Sequence, residues 1–231
     1  MNTTSASRAE RVLVWDLPVR IFHWLLVASF AGAWLTAESE HWRLVHVALG
    51  YTVAALVAFR IAWGFAGSRY ARFSQFVKGP RAVAAYARSM LSGRPAHFIG
   101  HNPAGAVAIV LLIALGVLVP LTGYATYNEI GGKWLEEVHE ALATTMLVVA
   151  IVHVAGVIAG SLLHRENLVR AMFTGRKAGA PGDAIASPRW AAALVLVALV
   201  AGVAWTQWRT DLLAGAPNAG AHRQGDHDDD D

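Results

Sequence analysis

The sequence contains no cysteine among its 231 residues. Without thiols the chain forms no disulfide, holds no iron-sulfur cluster through thiolates, and lacks the C-x-x-C-H motif that attaches haem covalently in c-type cytochromes. Any redox centre must therefore be bound by histidine or by another ligand that is not a thiol. The ten histidines are for this reason the first residues to consider.

Charged residues are also scarce. They make up 15% of the chain, whereas 55% is hydrophobic, and this balance is typical of a membrane protein. A helix needs roughly 20 apolar residues to cross a bilayer core. Five stretches are long enough, at residues 19–37, 44–66, 103–124, 138–163 and 190–208. A cleaved signal peptide is an alternative for the first stretch, but no A-x-A-like site follows it.

Basic residues are distributed unevenly around these stretches. If the helices alternate in direction, 15 of the 19 lysines and arginines fall on the side of the N-terminus, and 12 of the 16 acidic residues fall on the other side. By the positive-inside rule, the N-terminus is cytoplasmic and the C-terminus periplasmic, in the inner membrane of a bacterium. The basic loops then face anionic lipid headgroups, so the excess of positive charge requires no nucleic-acid partner.

The five stretches divide the chain into consecutive segments. We predict in order a cytoplasmic N-terminal arm at 1–18, a four-helix core at 19–163 with a cytoplasmic loop at 67–102 and an interfacial helix at about 80–91, a cytoplasmic linker at 164–189, a fifth helix at 190–208, and an acidic periplasmic tail at 209–231. Gly and Ala make the linker flexible from Lys177 to Pro188. The tail ends in GDHDDDD, a composition typical of disorder.

Four histidines lie at membrane depth, and topology sorts them into two pairs. His139 and His153 are 14 residues apart on one helix, so they share a face and lie about 21 Å apart along its axis. Alternating helix directions bring His23 to the level of His153 on the inner side, and His46 to the level of His139 on the outer side. Two inward-facing pairs are what two bis-histidine haems b require of a four-helix bundle.

Other interpretations of these histidines remain open. A single histidine in a membrane helix is more often a hydrogen-bond partner of another helix than a ligand. The pairs could also bind zinc or copper, although such sites usually take three or four protein ligands. His41 is an alternative to His46, but it precedes the apolar stretch and is expected in a short outer loop.

Basic residues at the levels of the two pairs could neutralise haem propionates. The candidates are Arg20 and Arg60 on the inner side and Arg43 and Lys133 on the outer side. The alternative is that these residues only set the topology.

Two further histidines fall at the cytoplasmic boundary. His101 and His164 could hydrogen-bond a quinone or carry its protons, or they could simply be interfacial residues.

The same residues carry a resemblance to a known family. The quoted elements are VWDLPVRIFHW, HVALGYTVAALVAFRIAWGFAGSRYARF, HEALATTMLVVAIVHVAGV and HRENLVRAMFTGRK, in this order from Val14 to Lys177. In order and spacing they resemble the bacterial cytochrome b561 and nickel-hydrogenase b-type cytochrome family. The resemblance implies an all-α core of four helices with two haems b, whose axial ligands correspond to His23, His46, His139 and His153. It also implies electron transfer between a periplasmic redox partner and membrane quinone.

We therefore interpret the protein as a transmembrane electron conduit in contact with membrane lipid and quinone. The expected periplasmic partner is a c-type cytochrome, which the acidic tail could attract, or a hydrogenase-like enzyme, which the resemblance implies. The alternative for the tail, which departs from the hydrogenase subunits of the family, is that it only solvates the terminus. An alternative is a quinone-linked oxidoreductase that acts alone on superoxide or ferric iron, so enzymatic activity is left open. A second alternative is a non-redox metal transporter lined by histidines.

Overall fold

The computed structural model describes residues 10–93 and 96–214, with side chains described up to residue 209. Five of its helices are long and apolar enough to cross a membrane. They are α1 (Leu17–Thr36), α2 (Arg43–Ala66), α5 (Pro103–Tyr127), α6 (Trp134–His164) and α8 (Trp190–Ala214). The expected all-α membrane fold is confirmed. Helix α8 continues to Ala214, past the predicted end at 208, and the rest of the predicted acidic tail at 209–231 lies outside the described residues.

Polar residues determine where two of the long helices begin. The Asp16 carboxylate accepts a hydrogen bond from Val19 N at 2.9 Å, and the Asn102 side chain accepts one from Gly105 N at 2.7 Å. Each cap satisfies a backbone N–H that the first helical turn leaves without a partner. A proline follows within two residues of each cap, where its missing N–H costs nothing.

The long helices form two hairpins that meet along one seam. Helix α1 packs on α2 and α5 packs on α6, while α2 also packs on α5; α8 lies against α1 and α2. Within the described residues, α6 has at most marginal backbone contact with α1 and α2. Helices α1, α2, α5 and α6 therefore surround a space, which lies between α6 and the α1–α2 hairpin.

A small folded cap covers one end of the helices, the end that the distribution of basic residues predicts to be the inner one. It contains the short helices α3 (Phe73–Phe76), α4 (Pro80–Leu91) and α7 (Leu168–Thr174) and the strands β1 (Glu10–Leu13) and β2 (Arg176–Gly179). The strands are antiparallel, with Glu10 opposite Gly179 and Leu13 opposite Arg176. Their side of the cap has its own apolar core, which includes Val12, Val14, Trp15, Tyr70 and Ile185.

The cap overturns the expectation of a flexible segment from Lys177 to Pro188. Lys177 lies in β2, is only 4% exposed, and donates a hydrogen bond to the Phe98 carbonyl at 3.2 Å. Ile185 is buried and its N–H bonds the Leu13 carbonyl at 2.8 Å. The segment is ordered because the N-terminal strand supplies a partner for its backbone, which no local pattern in the sequence indicates.

Candidate functional site

The outer pair of histidines faces across the space between α2 and α6. The ring centres of His46 and His139 are 6.2 Å apart, with the ring planes inclined at 80°. A bond from a metal ion to an imidazole nitrogen is about 2 Å long, so two imidazoles that share one ion have ring centres about 6 Å apart. The two side chains are therefore already at the separation that one ion between them requires.

Backbone carbonyls fix the orientation of both outer imidazoles. Nδ1 of His46 donates to the Ala33 carbonyl of α1 at 2.9 Å, and Nδ1 of His139 donates to the Val119 carbonyl of α5 at 3.0 Å. A carbonyl oxygen only accepts, so Nδ1 carries a proton, and in the neutral imidazole Nε2 then has the lone pair. A neutral imidazole with this tautomer and a tethered Nδ1 is the form in which histidine binds a metal ion.

Glycines shape the walls around these side chains. A β-carbon on Gly123 of α5 would lie 2.9 Å from Cε1 of His139, so glycine is what lets α5 approach the imidazole. A β-carbon on Gly50 or on Gly156 would meet no protein atom within 4 Å. Both positions therefore border open space, Gly50 one turn after His46 and Gly156 close to His153. This room and the free Nε2 atoms fit a flat iron porphyrin between the helices.

The inner pair is more widely spaced than the outer pair. His23 and His153 interact electrostatically across the bundle, but their rings are not in contact in the part of the chain that the structure describes. The His23 ring instead meets Trp24 edge-on, with ring centres 4.9 Å apart, and its buried Nδ1 has no hydrogen-bond partner. The structure thus places the rings of His46 and His139 opposite each other across the bundle, whereas His23 and His153 are linked only by an electrostatic interaction.

Arg60 supplies a buried positive charge near the inner pair. Its side chain is 4% exposed and its guanidinium lies over the rings of Phe73 and Phe76, at 5.2 and 5.7 Å. Its Nη1 is buried and has no hydrogen-bond partner among the described residues. A buried charge with an unsatisfied donor is costly. Arg60 is therefore suited to hold an anionic group that enters the inner layer.

Asp16 is the acidic counterpart of Arg60. It is completely buried, caps α1, and accepts a second hydrogen bond from Nε1 of Trp63 in α2 at 3.0 Å. It also interacts electrostatically with Arg60. Sequence analysis missed this residue, although an aspartate directly before Leu-Pro at a helix start is a recognisable capping signal.

His101 belongs to the same inner layer. Its ring lies between Trp15 and Phe76, with ring centres 4.5 and 4.8 Å away, and its Nδ1 has no hydrogen-bond partner. Burial, followed by the nearby charge of Arg60, lowers the pKa of His101 to about 3, so the imidazole is neutral at physiological pH. Electrostatic interactions also link it to His23 and His153.

His164 occupies a different environment from His101. It contacts His97, with ring centres 5.5 Å apart, in an open cavity of the inner cap. Lys177 interacts electrostatically with both His101 and His164. The two histidines that the sequence grouped as one quinone neighbourhood are therefore in separate surroundings.

The other basic candidates have protein partners or lie at the surface. Arg20 donates through Nε to the Met172 carbonyl at 3.4 Å and through Nη2 to the Phe173 carbonyl, so it caps the end of α7. Arg43 lies over the Tyr127 ring at 5.5 Å. Lys133 precedes α6 and is exposed. Of the four basic candidates, Arg60 is the one with a buried donor left unpaired.

Comparisons with known proteins point to one family. The family model described as prokaryotic cytochrome b561 matches residues 14–175, more than half of the chain. The chain is 24% identical over 219 aligned positions to a protein of Rhizobium leguminosarum named "Probable Ni/Fe-hydrogenase B-type cytochrome subunit", with 74% of this chain and 91% of that protein covered. A protein of the same name from Azotobacter vinelandii is 26% identical, with 71% and 87% covered. The search of solved structures found no match.

Proposed function

Since the chain belongs to the prokaryotic cytochrome b561 family, we propose that it conducts electrons across the bacterial cytoplasmic membrane through two haems b, one near each surface. A multi-pass membrane architecture, a b-type haem and a role in membrane electron transfer follow from the family and from the five apolar helices. The single observation that carries the two-haem proposal is the outer pair, His46 and His139, with ring centres 6.2 Å apart.

In this proposal each pair of histidines would hold one haem. His46 and His139 hold the outer haem through Nε2, while Ala33 and Val119 keep the imidazoles oriented. His23 and His153 hold the inner haem. A bound haem b supplies a centre that accepts and releases one electron at a time.

The residues of the inner layer tune that centre. Arg60 would hold the propionates of an inner haem with its unpaired donor, and its positive charge would favour the reduced state of that haem. Phe73 and Phe76 cover the guanidinium and exclude water from it. Asp16 holds the inner ends of α1 and α2 together, and thereby positions His23 relative to Arg60.

Electrons enter or leave on the inner side through membrane quinone. His101, half-buried and neutral beside the inner pair, is the residue best placed to hydrogen-bond a quinone or to pass it a proton. His164 lies in the open cavity and is better placed for exchange with the cytoplasm.

The periplasmic partner is a hydrogenase-like enzyme or a c-type cytochrome. The relatives are named as subunits of Ni/Fe hydrogenases, which supports the first. The outer end of α6 is acidic, with Glu136, Glu137 and Glu140, and a basic partner would be attracted to it at low ionic strength.

The test is the visible spectrum of the purified protein in detergent, reduced minus oxidised, together with haem extracted per chain. We expect two low-spin haems b per chain and two steps in a redox titration. One haem per chain would reject the paired arrangement while leaving the family role intact. A protein that binds no haem, after expression with sufficient haem supply, would reject the proposal as a whole.

A further inference from the structure

The inner cap contains a cavity that the proposed electron path does not use. Its volume is about 620 Å³, and it opens between the end of α6, the start of α7 and the β1–β2 sheet. Its basic lining residues are Arg11, Arg165 and Arg170, joined by His97 and His164. We call it the arginine cavity.

The acidic residues that line the arginine cavity are Glu166 and Asp183, and Glu166 is paired with a cation that is not one of the cavity's arginines. Glu166 pairs with Lys177 Nζ at 3.3 Å and accepts a hydrogen bond from Ala178 N at 3.3 Å. Asp183 accepts from Ala180 N at 3.0 Å. Within the described residues, three guanidinium groups therefore line the cavity against one carboxylate without an ion pair, that of Asp183, so the positive charge is in excess.

Two of the arginines have no acceptor of their own. Arg11 donates to the Arg176 carbonyl at 3.2 Å, but the side chains of Arg165 and Arg170 have neither a hydrogen bond nor an ion pair within residues 10–93 and 96–209. A guanidinium presents five donors in a planar fork that matches the oxygens of a phosphate group. Two such groups at one cavity form a site for a phosphate.

The backbone conformation of Arg165 is an independent reason to expect a functional role for its side chain. Arg165 ends α6 with φ 49° and ψ 34°, in the left-handed conformation, while its N–H and that of Glu166 bond the Leu162 and Ser161 carbonyls. This helix ending favours glycine, because a β-carbon is crowded in the left-handed region. The chain carries an arginine there at a conformational cost, and the arginine lines the cavity.

The position of the cavity indicates where the phosphate comes from. It adjoins the inner end of the membrane-spanning helix α6, and large apolar side chains are exposed on the same two helices: Leu162, Val169 and Phe173. A headgroup in the cavity would leave its acyl chains beside these residues. Basic pockets at the cytoplasmic ends of membrane helices are suited to anionic lipids.

We propose that the arginine cavity binds the phosphate group of an anionic phospholipid at the cytoplasmic surface, with Arg165 and Arg170 as its principal contacts. The proposal is independent of the haem ligands and of His101, and His164 is the one candidate quinone residue that also lines this cavity. A soluble phosphate compound offers the same oxygens, so the experiment must separate the two sources.

The test measures thermal unfolding of the delipidated holoprotein in neutral detergent. Wild type is titrated with phosphatidylglycerol, with phosphatidylcholine of the same chain length, and with inorganic phosphate. We expect phosphatidylglycerol to raise the melting temperature by about 5 °C at saturation, and phosphatidylcholine to raise it much less. A response to inorganic phosphate as large as that to phosphatidylglycerol would keep the site but assign it to a soluble phosphate compound.

Three variants decide whether the effect belongs to the cavity. Arg165→Gly removes the guanidinium and relieves the left-handed backbone, so without lipid it should melt at the wild-type temperature or above, while losing most of the lipid response. Arg170→Gln should lose part of that response. Arg81→Gln, an exposed arginine on α4, is the matched control and should respond like wild type. Equal responses of wild type and Arg165→Gly to phosphatidylglycerol, or no response at all, would overturn the proposal.

Discussion

At the scale of single residues, the second nitrogen of each imidazole distinguishes a ligand from a packing residue. His46 and His139 each give their Nδ1 proton to a carbonyl of a neighbouring helix and keep Nε2 free. A histidine that served only as a link between helices would be satisfied by that one bond, and no second imidazole would be needed at 6.2 Å. The outer pair therefore favours ligation over the hydrogen-bonding role that the sequence left open.

His46 can be separated from its neighbour His41 by substitution. We expect His46→Leu to lower extracted haem from two to about one per chain and to remove the outer step of the redox titration, because one axial ligand is lost. His41 is exposed in the turn at Glu40–Trp42, with its ring against Trp42. His41→Leu is therefore the control and should retain both haems. Equal haem loss in the two variants would contradict the assignment.

Asp16 is a second residue whose substitution should have a measurable effect, in this case on stability. Asp16→Ala removes the cap of α1, worth about 1 kcal/mol, and leaves the Trp63 N–H without an acceptor, worth about 1–3 kcal/mol more. We expect a lower midpoint of thermal unfolding in detergent, with a smaller loss in Asp16→Asn, which can still cap the helix. Glu10→Ala, at an exposed carboxylate, should leave the midpoint unchanged. No change in Asp16→Ala would show that the buried network contributes nothing.

Candidate ligands could be predicted from the sequence, but the groups that hydrogen-bond or enclose them could not. The positions of His23, His46, His139 and His153 follow from helix periodicity and alternating direction, which are properties of single helices. The carbonyl partners Ala33 and Val119 and the enclosure of His101 depend on how separate elements dock. Such contacts leave no periodic signal in one sequence.

At the scale of elements, the helix bounds were predicted within a few residues because apolar length fixes a membrane helix. The pair of strands was not predicted. β1 and β2 are four residues each, lie far apart in the chain, and carry Lys, Gly and Arg in place of an apolar alternation. Their stability comes from the apolar core beneath them and not from local propensity.

The packing of α6 leads to a prediction about haem removal. Helix α6 packs along α5 but has at most marginal contact with α1 and α2, so in the holoprotein the histidine ligands would join the two hairpins. We expect haem-free protein to melt at a lower temperature, and amide hydrogen exchange to increase in the outer half of α6 more than in α2. Exchange that rises equally in both helices, or in neither, would show that the hairpins do not depend on the haem.

At the scale of the whole molecule, the two faces differ in structure as well as in charge. The inner side carries the folded cap with most of the arginines, whereas the described outer side consists of the turn at Glu40–Trp42 and the short connection from α5 to α6. An inner face built from several elements can hold a quinone, a lipid headgroup and the start of a proton path close together. A nearly bare outer face leaves room for a large redox partner.

Because the chain has no cysteine, this orientation can be tested with single introduced cysteines, and no native cysteine has to be removed first. We expect Glu38→Cys, exposed after α1, to react with a membrane-impermeant maleimide applied to spheroplasts, because the outer side should face the periplasm. Ser92→Cys, exposed after α4, should react only in inverted vesicles, and the cysteine-free parent should react in neither. Haem content of both variants would verify that the fold is retained. The opposite labelling pattern would place the cap outside, and with it the proposed quinone and phospholipid sites, so that the positive-inside argument would fail for this chain.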